Sequence, residues 1–386
     1  MNDNGRPGHR LKDGRYLRCG YTTGTCAAAA AAAAAEMLLT QKPVSTVRIR
    51  TPKGIELLLE IEQAAAGEDW ASCAVVKDSG DDPDVTNGIR IHARVCRQPE
   101  KQITITGGQG IGRVTQRGLS VDVGEAAINP VPRKMIEAEL IRVCDRHDYA
   151  GGLACEIYAP EGERIARRTF NEKLGIQGGI SILGTSGIVE PMSEEALKET
   201  LYLELNVLRE KGWTQLMMFP GNYAQDFARG TFGLEGKNAI KYGNYTGYVL
   251  DIAADKGFTE ILMIGHIGKL IKNAGGIMQT HSSLGDGRME IFCCHCALCG
   301  IGPAVLRRIM ECATTDAVIE ILQPTGRQEQ VFQAVADAVQ RKAAARLRDR
   351  ARVECVVFSQ RFGLLSMSEG ARRMIEEAGG KVRWPK

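Results

Sequence analysis

Ile261-Leu-Met-Ile-Gly-His-Ile-Gly-Lys269 is a short apolar run that stops on glycine, histidine, glycine and lysine. Gln215-Leu-Met-Met-Phe-Pro-Gly-Asn222 repeats the design, four apolar residues breaking at Pro-Gly-Asn. Between and beyond these runs lie segments of helical spacing. The pattern predicts strand 215–219, helix 244–256, strand 261–265, helix 303–312, long helix 328–348, strand 355–359 and helix 368–377. Strands separated by helices of this length imply a parallel sheet. Such sheets bind ligands outside the carboxyl ends of their strands. Pro220, Gly221, Asn222, Gly265, His266, Gly268 and Lys269 therefore become candidate site residues, and Lys272 lies close enough in sequence to meet a carboxylate beside Lys269.

Upstream the periodicity changes. A run of nine alanines, Ala27–Ala35, leads into Glu36-Met-Leu-Leu39, a helix on propensity alone. Strands are predicted at 47–50 and 55–61 around a Pro-Lys-Gly turn, then at 71–76, 89–95, 103–106, 154–158 and 164–169, with a helix at 132–147. Residues 1–15 read as a loose tail. Ser193-Glu-Glu caps a helix running to Lys211. The expectation is an α/β protein of two domains: an α+β domain over 1–192 and a Rossmann-like parallel-sheet domain over 193–386.

Composition narrows the function. Of 386 residues, 44% are hydrophobic and 25% charged, an ordinary globular balance. A net charge of +3 spread along the chain lacks the concentrated basic face that nucleic acid requires. No window reads as 18 consecutive apolar residues, so no membrane span is expected. The polar, basic N-terminus has no apolar h-region of a secretory signal. Twelve cysteines without such a signal read as reduced thiols, and the expected location is the cytoplasm. The sequence leaves oligomeric state open, a homo-oligomer included.

Four motifs carry candidate chemistry. Arg18-Cys-Gly-Tyr-Thr-Thr-Gly-Thr-Cys26 opens directly into the alanine helix. Free N–H groups, hydroxyls and the helix dipole there favour an anion, while an ordinary threonine N-cap explains the same residues. The loop Asp78–Gly88 carries Asp78, Asp81, Asp82 and Asp84 without the mid-loop glycine and twelfth-position Glu of an EF-hand. Gly107-Gly-Gln-Gly-Ile-Gly112 has G-x-G-x-G spacing but no following helix, so it reads as a mobile loop with Arg113 beside it, not as a dinucleotide fingerprint. Cys293-Cys-His-Cys-Ala-Leu-Cys299 packs four thiols and an imidazole into seven residues. Four ligands from so short a segment rarely converge, and cysteine is also a small core residue, so no protein-bound metal is expected.

Together these pieces resemble the cobalt-precorrin-5B C(1)-methyltransferase family, CbiD. The resemblance rests on RCGYTTGTCAAAAAAAA from Arg18, SGDDPDVTNG from Ser79, and GGQGIGRVTQRGLSVDVGEAAINPVPRKMI from Gly107. It continues with NEKLGIQGGISILGTSGIVEPMS from Asn171, PGN from Pro220 and GHIGKLIKNAGGIMQTHSS from Gly265. It implies transfer of a methyl group from S-adenosylmethionine to C1 of a cobalt-containing corrin precursor. Such a macrocycle carries acetate and propionate arms, and Arg18, Thr22, Thr23, Arg113, Arg133, Lys134 and Lys269 supply the donors to hold them. S-adenosylmethionine is expected at Pro220, Gly221, Asn222, Gly265 and Gly268. His266 and Asp84 are the candidate bases. Two readings compete: a non-catalytic corrinoid or tetrapyrrole carrier, and a metal or Fe–S oxidoreductase built on residues 293–299.

Overall fold

The computed structural model describes residues 7–12 and 14–382. The chain divides into two compact units, residues 1–197 and 198–386.

Unit 1 is built around helix α1 (Thr23–Thr40) and helix α2 (Pro130–Arg146) laid on a five-stranded sheet. Its strands are β1 (Glu62–Ala66), β2 (Trp70–Val76), β3 (Arg90–Gln98), β4 (Ile103–Gly107) and β5 (Gly152–Tyr158), in spatial order β1-β2-β3-β5-β4. Neighbours are antiparallel except β5 and β4, which run parallel. Every alanine from Ala27 to Ala35 is buried. Side chains this small let α1 lie close against α2, β2 and β3. By length and composition α1 is apolar enough to cross a membrane. It is 83% buried within the fold, as expected of a core helix.

Three expectations in unit 1 are overturned. The expected loose tail over 1–15 is not seen from residue 9 on: His9–Lys12 pairs antiparallel with Arg15–Arg18, and Arg10 reaches Glu190 at 2.9 Å. Residues 1–6 and 13 lie outside the described residues. The predicted strand at 164–169 is a short helix, Gly162–Ala166, followed by turns. Gly107–Gly112 is no mobile loop. A Cβ on Gly110 would sit 1.8 Å from the Ala159 carbonyl oxygen, and one on Gly179 would sit 2.2 Å from that of Gly110. These glycines let three backbone segments touch, and Gly112 N–H donates to Ile180 O at 2.8 Å.

Unit 2 is a three-layer α/β fold. Strands β6 (Gln215–Phe219), β7 (Ala239–Lys241), β8 (Glu260–His266), β9 (Arg352–Ser359) and β10 (Gly363–Met367) lie in the order β7-β6-β8-β9-β10. The first four are parallel and β10 is an antiparallel edge. Alternate residues point to opposite layers. Leu216, Met218, Ile261, Met263, Val353 and Cys355 face one core, with helices α3 (Thr246–Asp255), α4 (Ile267–Ala274), α5 (Arg288–Leu298) and α6 (Gln328–Leu347). Met217, Phe219, Leu262, Ile264 and Val356 face the other, with helices Asn222–Phe227 and Ala371–Glu377. The Rossmann-like parallel sheet is therefore present. Its order, 2-1-3-4-5 in strand sequence, reverses between β6 and β8. That reversal is the point at which a doubly wound sheet opens a ligand crevice.

Candidate functional site: the strand ends of unit 2

β6 ends at Phe219 and the chain turns through Pro220 and Gly221 into helix Asn222–Phe227. β8 ends at His266, the N-cap of α4. Pro220, Asn222, His266, Gly268 and Lys269 thus meet at one end of the sheet. Lys269 joins the two sides: its Nζ donates to Pro220 O at 3.1 Å and to Gly243 O, beyond β7, at 3.0 Å. Burial lowers its pKa. Asn222 Oδ1 accepts from Lys241 Nζ at 2.9 Å. Gly265, in contrast, is a packing residue, since a Cβ there would lie 2.8 Å from Leu270 Cγ. That fit accounts for the glycine without a ligand.

The imidazole of His266 accepts a hydrogen bond from Gly268 N–H on Nδ1 at 3.1 Å and meets the Phe358 ring edge-on, 5.7 Å between centroids. Burial depresses its pKa, outweighing the charge of Asp316. A neutral ring with Nδ1 accepting carries its proton on Nε2. His266 is therefore a donor at Nε2, and the lone pair that a base would use is committed to the cap.

Beside these residues lies a cleft of about 280 Å³ lined by Asn244, Gly268, Lys269, Lys272, Thr280, His281, Ser282, Asp286 and Arg288. Lys272 is 4% exposed, and its Nζ donates to Thr280 O at 3.3 Å and Gly285 O at 2.9 Å. Arg288 grips Asp286 through two donors, Nη2 reaching Oδ2 at 2.7 Å, and holds that carboxyl below its usual range. His281 caps a short 3-10 turn, its Nδ1 accepting from Ser283 N–H at 3.2 Å. Asn244, Thr280, His281, Asp286 and Arg288 were not identified from the sequence. The QTHSS segment was visible, but only the fold brings it beside Lys269.

In unit 1 the candidate donors are largely consumed. Thr22 Oγ1 accepts from Thr25 N–H at 3.2 Å, so Thr22 is the N-cap of α1. Thr23 Oγ1 accepts from Leu183 N–H at 2.9 Å and is within 3.3 Å of Ser181 O and Leu183 O. Gly24 N–H donates to Leu183 O at 3.0 Å. Thr22 and Thr23 are buried, and the irregular segment 181–187 packs over the helix start where an anion would sit. Arg18 is clamped by both oxygens of Asp78. Arg133 donates to Ile105 O at 2.9 Å, and Arg113 to Gly124 O at 2.9 Å. Lys134 is exposed and without a side-chain partner among the described residues. Apart from Lys134, this set works within the fold.

Asp84 is likewise no free base. Lys77, buried, donates to its Oδ2 at 2.6 Å, and Thr86 donates to Oδ1 through N at 2.8 Å and through Oγ1 at 2.7 Å. Burial pushes the carboxyl up, but Lys77 and these bonds outweigh it and the pKa falls below the ordinary value. Asp81 Oδ2 accepts from Arg18 N–H at 2.6 Å, and Asp82 Oδ1 accepts from Met192 N–H at 2.9 Å. The acidic loop is a clasp that joins residues 18 and 192.

The cysteine cluster lies on α5 and divides around it. Cys296 faces the core, its thiol pushed up to about 12 by burial, while Cys294 is exposed and Cys293 Sγ donates to Leu306 O at 3.4 Å. Among the described residues no three His, Cys, Asp or Glu side chains gather as metal ligands. The oxidoreductase alternative has no assembled centre here. All twelve cysteines are free thiols.

Known proteins place the chain. The sequence profile described as CbiD matches residues 10–191, and that described as CbiD, C-terminal domain, matches residues 279–369. A protein of Ruminiclostridium cellulolyticum named cobalt-precorrin-5B C(1)-methyltransferase is 49% identical over 90% of this chain and 91% of its own. Proteins of the same name from Alkaliphilus metalliredigens and Listeria monocytogenes are 44% and 41% identical, covering 95% of this chain and 96% and 98% of theirs. A solved cobalamin biosynthesis protein, cbiD, from Archaeoglobus fulgidus is 33% identical over 69% of this chain and 83% of its own, with a TM-score of 0.39. On profile, identity and coverage together, the chain belongs to the CbiD family.

Proposed function

We propose that this protein is a C-methyltransferase of cobalamin biosynthesis that uses S-adenosylmethionine to methylate C1 of cobalt-precorrin-5B, giving cobalt-precorrin-6A. The observation that carries the reading is the near full-length identity to relatives of that name. The cobalt ion belongs to the substrate. The enzyme is expected to work in the cytoplasm on this small-molecule corrinoid.

The crevice between β6 and β8 suits the methyl donor. Pro220 and Asn222 flank Gly221, where a Cβ would meet nothing within 4 Å, so backbone and ligand can approach closely. Gly268 and Lys269 supply the facing wall, and exposed Tyr223 offers an aromatic face beside Asn222. When bound, S-adenosylmethionine would supply an electrophilic sulfonium methyl, whose transfer to the ring carbon breaks the S–CH3 bond, releases the neutral thioether and is balanced by loss of one proton from the ring. The protein's contribution is alignment, which supplies about 7–11 kcal/mol in well-oriented cases. His266 Nε2–H is placed to orient an acceptor, and no side chain here is required as a strong base. Of the cations expected in sequence, Lys269 is the one that lines the unit 2 cleft and is offered to a corrinoid arm there, while Arg18, Arg113, Arg133, Thr22 and Thr23 bond within unit 1.

The test is incubation with methyl-labelled S-adenosylmethionine and cobalt-precorrin-5B, with the label located by NMR. Label at C1 is expected. No incorporation, with the corrinoid bound unchanged, identifies a carrier instead.

A further inference from the structure

We propose that the cleft beside α4 is the seat of one ligand carboxylate, fixed by Arg288 and His281; this rests on the methyltransferase reading above. The argument is an accounting of donors and acceptors. Both oxygens of Asp286 are held by Arg288, and Lys272 adds its charge at 3.8 Å. The carbonyls of Thr280 and Gly285 accept from Lys272, and those of Pro220 and Gly243 from Lys269. Asn244 Oδ1 accepts from Thr280 Oγ1 at 3.2 Å. Each of these charged and carbonyl acceptors around the cleft thus already has a donor from the protein.

The donors are not. Lys269 has three protons and two carbonyl partners. Arg288 has five N–H donors, and Asp286 uses Nε and one on Nη2. The Nδ1 of His281 is engaged by Ser283, its N–H at 3.2 Å and its Oγ at 2.7 Å, and Nε2 has no hydrogen-bond partner among the described residues. Lys269, Lys272 and Arg288 stand against one carboxylate, Asp286, so the lining carries an excess of two positive charges. An anionic acceptor balances this set, and the planar fork of arginine matches a carboxylate.

Lys272 has a separate part. It is almost wholly buried and spends its protons on the 280–286 segment, so it does not itself reach a ligand. It is a positioning residue that holds the rim on which His281 and Arg288 stand. Size fixes how much of the ligand enters. Pockets that enclose a whole drug-sized molecule run from about 300 to 1,000 Å³. At about 280 Å³ this open cleft holds a charged arm of a larger molecule.

Two sources offer that arm: the amino-acid carboxylate of S-adenosylmethionine, and an acetate or propionate of the corrinoid. Calorimetry with two probe pairs separates them. One pair is S-adenosylhomocysteine and 5′-methylthioadenosine, which lacks the amino acid. The other is cobyrinic acid and its heptamethyl ester. In Arg288→Gln the carboxylate-bearing member of one pair should lose about ten- to a hundredfold in affinity, the weight of a charged hydrogen bond, while its carboxylate-free partner is unchanged. The pair that responds names the source. His281→Gln, on an exposed residue, should give the same selective loss at smaller size, and it carries the test if Arg288→Gln fails to fold. Equal loss within both pairs, no loss in either, or no binding of any probe by the unaltered protein overturns the proposal. Failure of the unaltered protein to transfer methyl overturns the activity alone, because carboxylate selectivity is read from binding.

Discussion

Two helix starts in this protein look alike in sequence and do opposite work. Thr22-Thr23-Gly24 opens α1 and His266-Ile-Gly268 opens α4, each with a polar cap and a glycine two residues on. At α1 the cap is followed by a seal: Gly24 N–H donates to Leu183 O, Thr22 N–H and Thr25 Oγ1 to Gly187 O, and the threonines are buried. At α4 the cap stands beside an open cleft, and the imidazole keeps an N–H to spare. A helix start attracts acceptors in general. Which acceptor takes it, backbone or ligand, depends on whether a neighbouring segment of the same chain arrives first.

The comparison breaks hardest in unit 1. Lys77→Met strands Asp84 without its buried cation; with Asp84 still partly in water, the loss should be about 3 kcal/mol, near the lower end for a broken buried pair. A thermal melt should move down by about 6–12 °C, given about 2–4 °C per kcal/mol in a unit of this size. An unchanged melt would mean that the acidic loop is not a clasp.

Thr23→Val should cost about 1–3 kcal/mol by leaving Leu183 N–H unpaired, and should leave ligand affinity alone. Loss of corrinoid or S-adenosylmethionine affinity at an unchanged melting temperature would hand the α1 start back to a ligand. At the other start, His266→Ala should cost about 1 kcal/mol of cap, and His266→Asn should restore it. Both should lower kcat/KM about tenfold or more if Nε2–H orients the ligand, as loss of one such donor typically does. Recovery of activity in the Asn variant would reduce His266 to a cap.

The smallest effect is in pH. Burial holds the folded-state pKa of His266 below its ordinary value of 6.5. The unfolded state therefore binds the proton first, so the cap's contribution is whole above that value and is lost as pH falls beneath it. The unaltered protein should lose more melting temperature than His266→Asn between about pH 7.5 and about pH 5.5. Equal losses would mean that the ring binds its proton alike in the folded and unfolded states.

Much of the fold was legible because its elements announce themselves locally. The alanine run, the hairpin around Pro52-Lys53-Gly54 and the strand ends at Phe219 and His266 carry their own periodicity or punctuation. Helix α4 and strands β7 and β10 were missed because they are short or interrupted by glycine. The site was half legible. Lys269 and His266 stood out at a strand end, whereas Asp286 and Arg288 lie in Gly285-Asp-Gly-Arg288, which by itself reads as a turn. The cationic residues of unit 1 misled for a different reason. Sequence shows that Arg18 is cationic, but not that Asp78 lies within reach of it.

The alanine helix has a consequence beyond packing. Alanine gives up no rotamer freedom when it is buried, so α1 orders at less entropic cost than a leucine helix of equal length. Its cohesion comes from nearness of backbones, and nearness cannot be shared out among alternative side-chain arrangements. A methyl added anywhere from Ala27 to Ala35 would enter a buried, close-packed helix face, so this stretch should tolerate less drift than the bulkier cores of unit 2. Its amides, sheathed on every side, should be among the last in the protein to exchange with solvent.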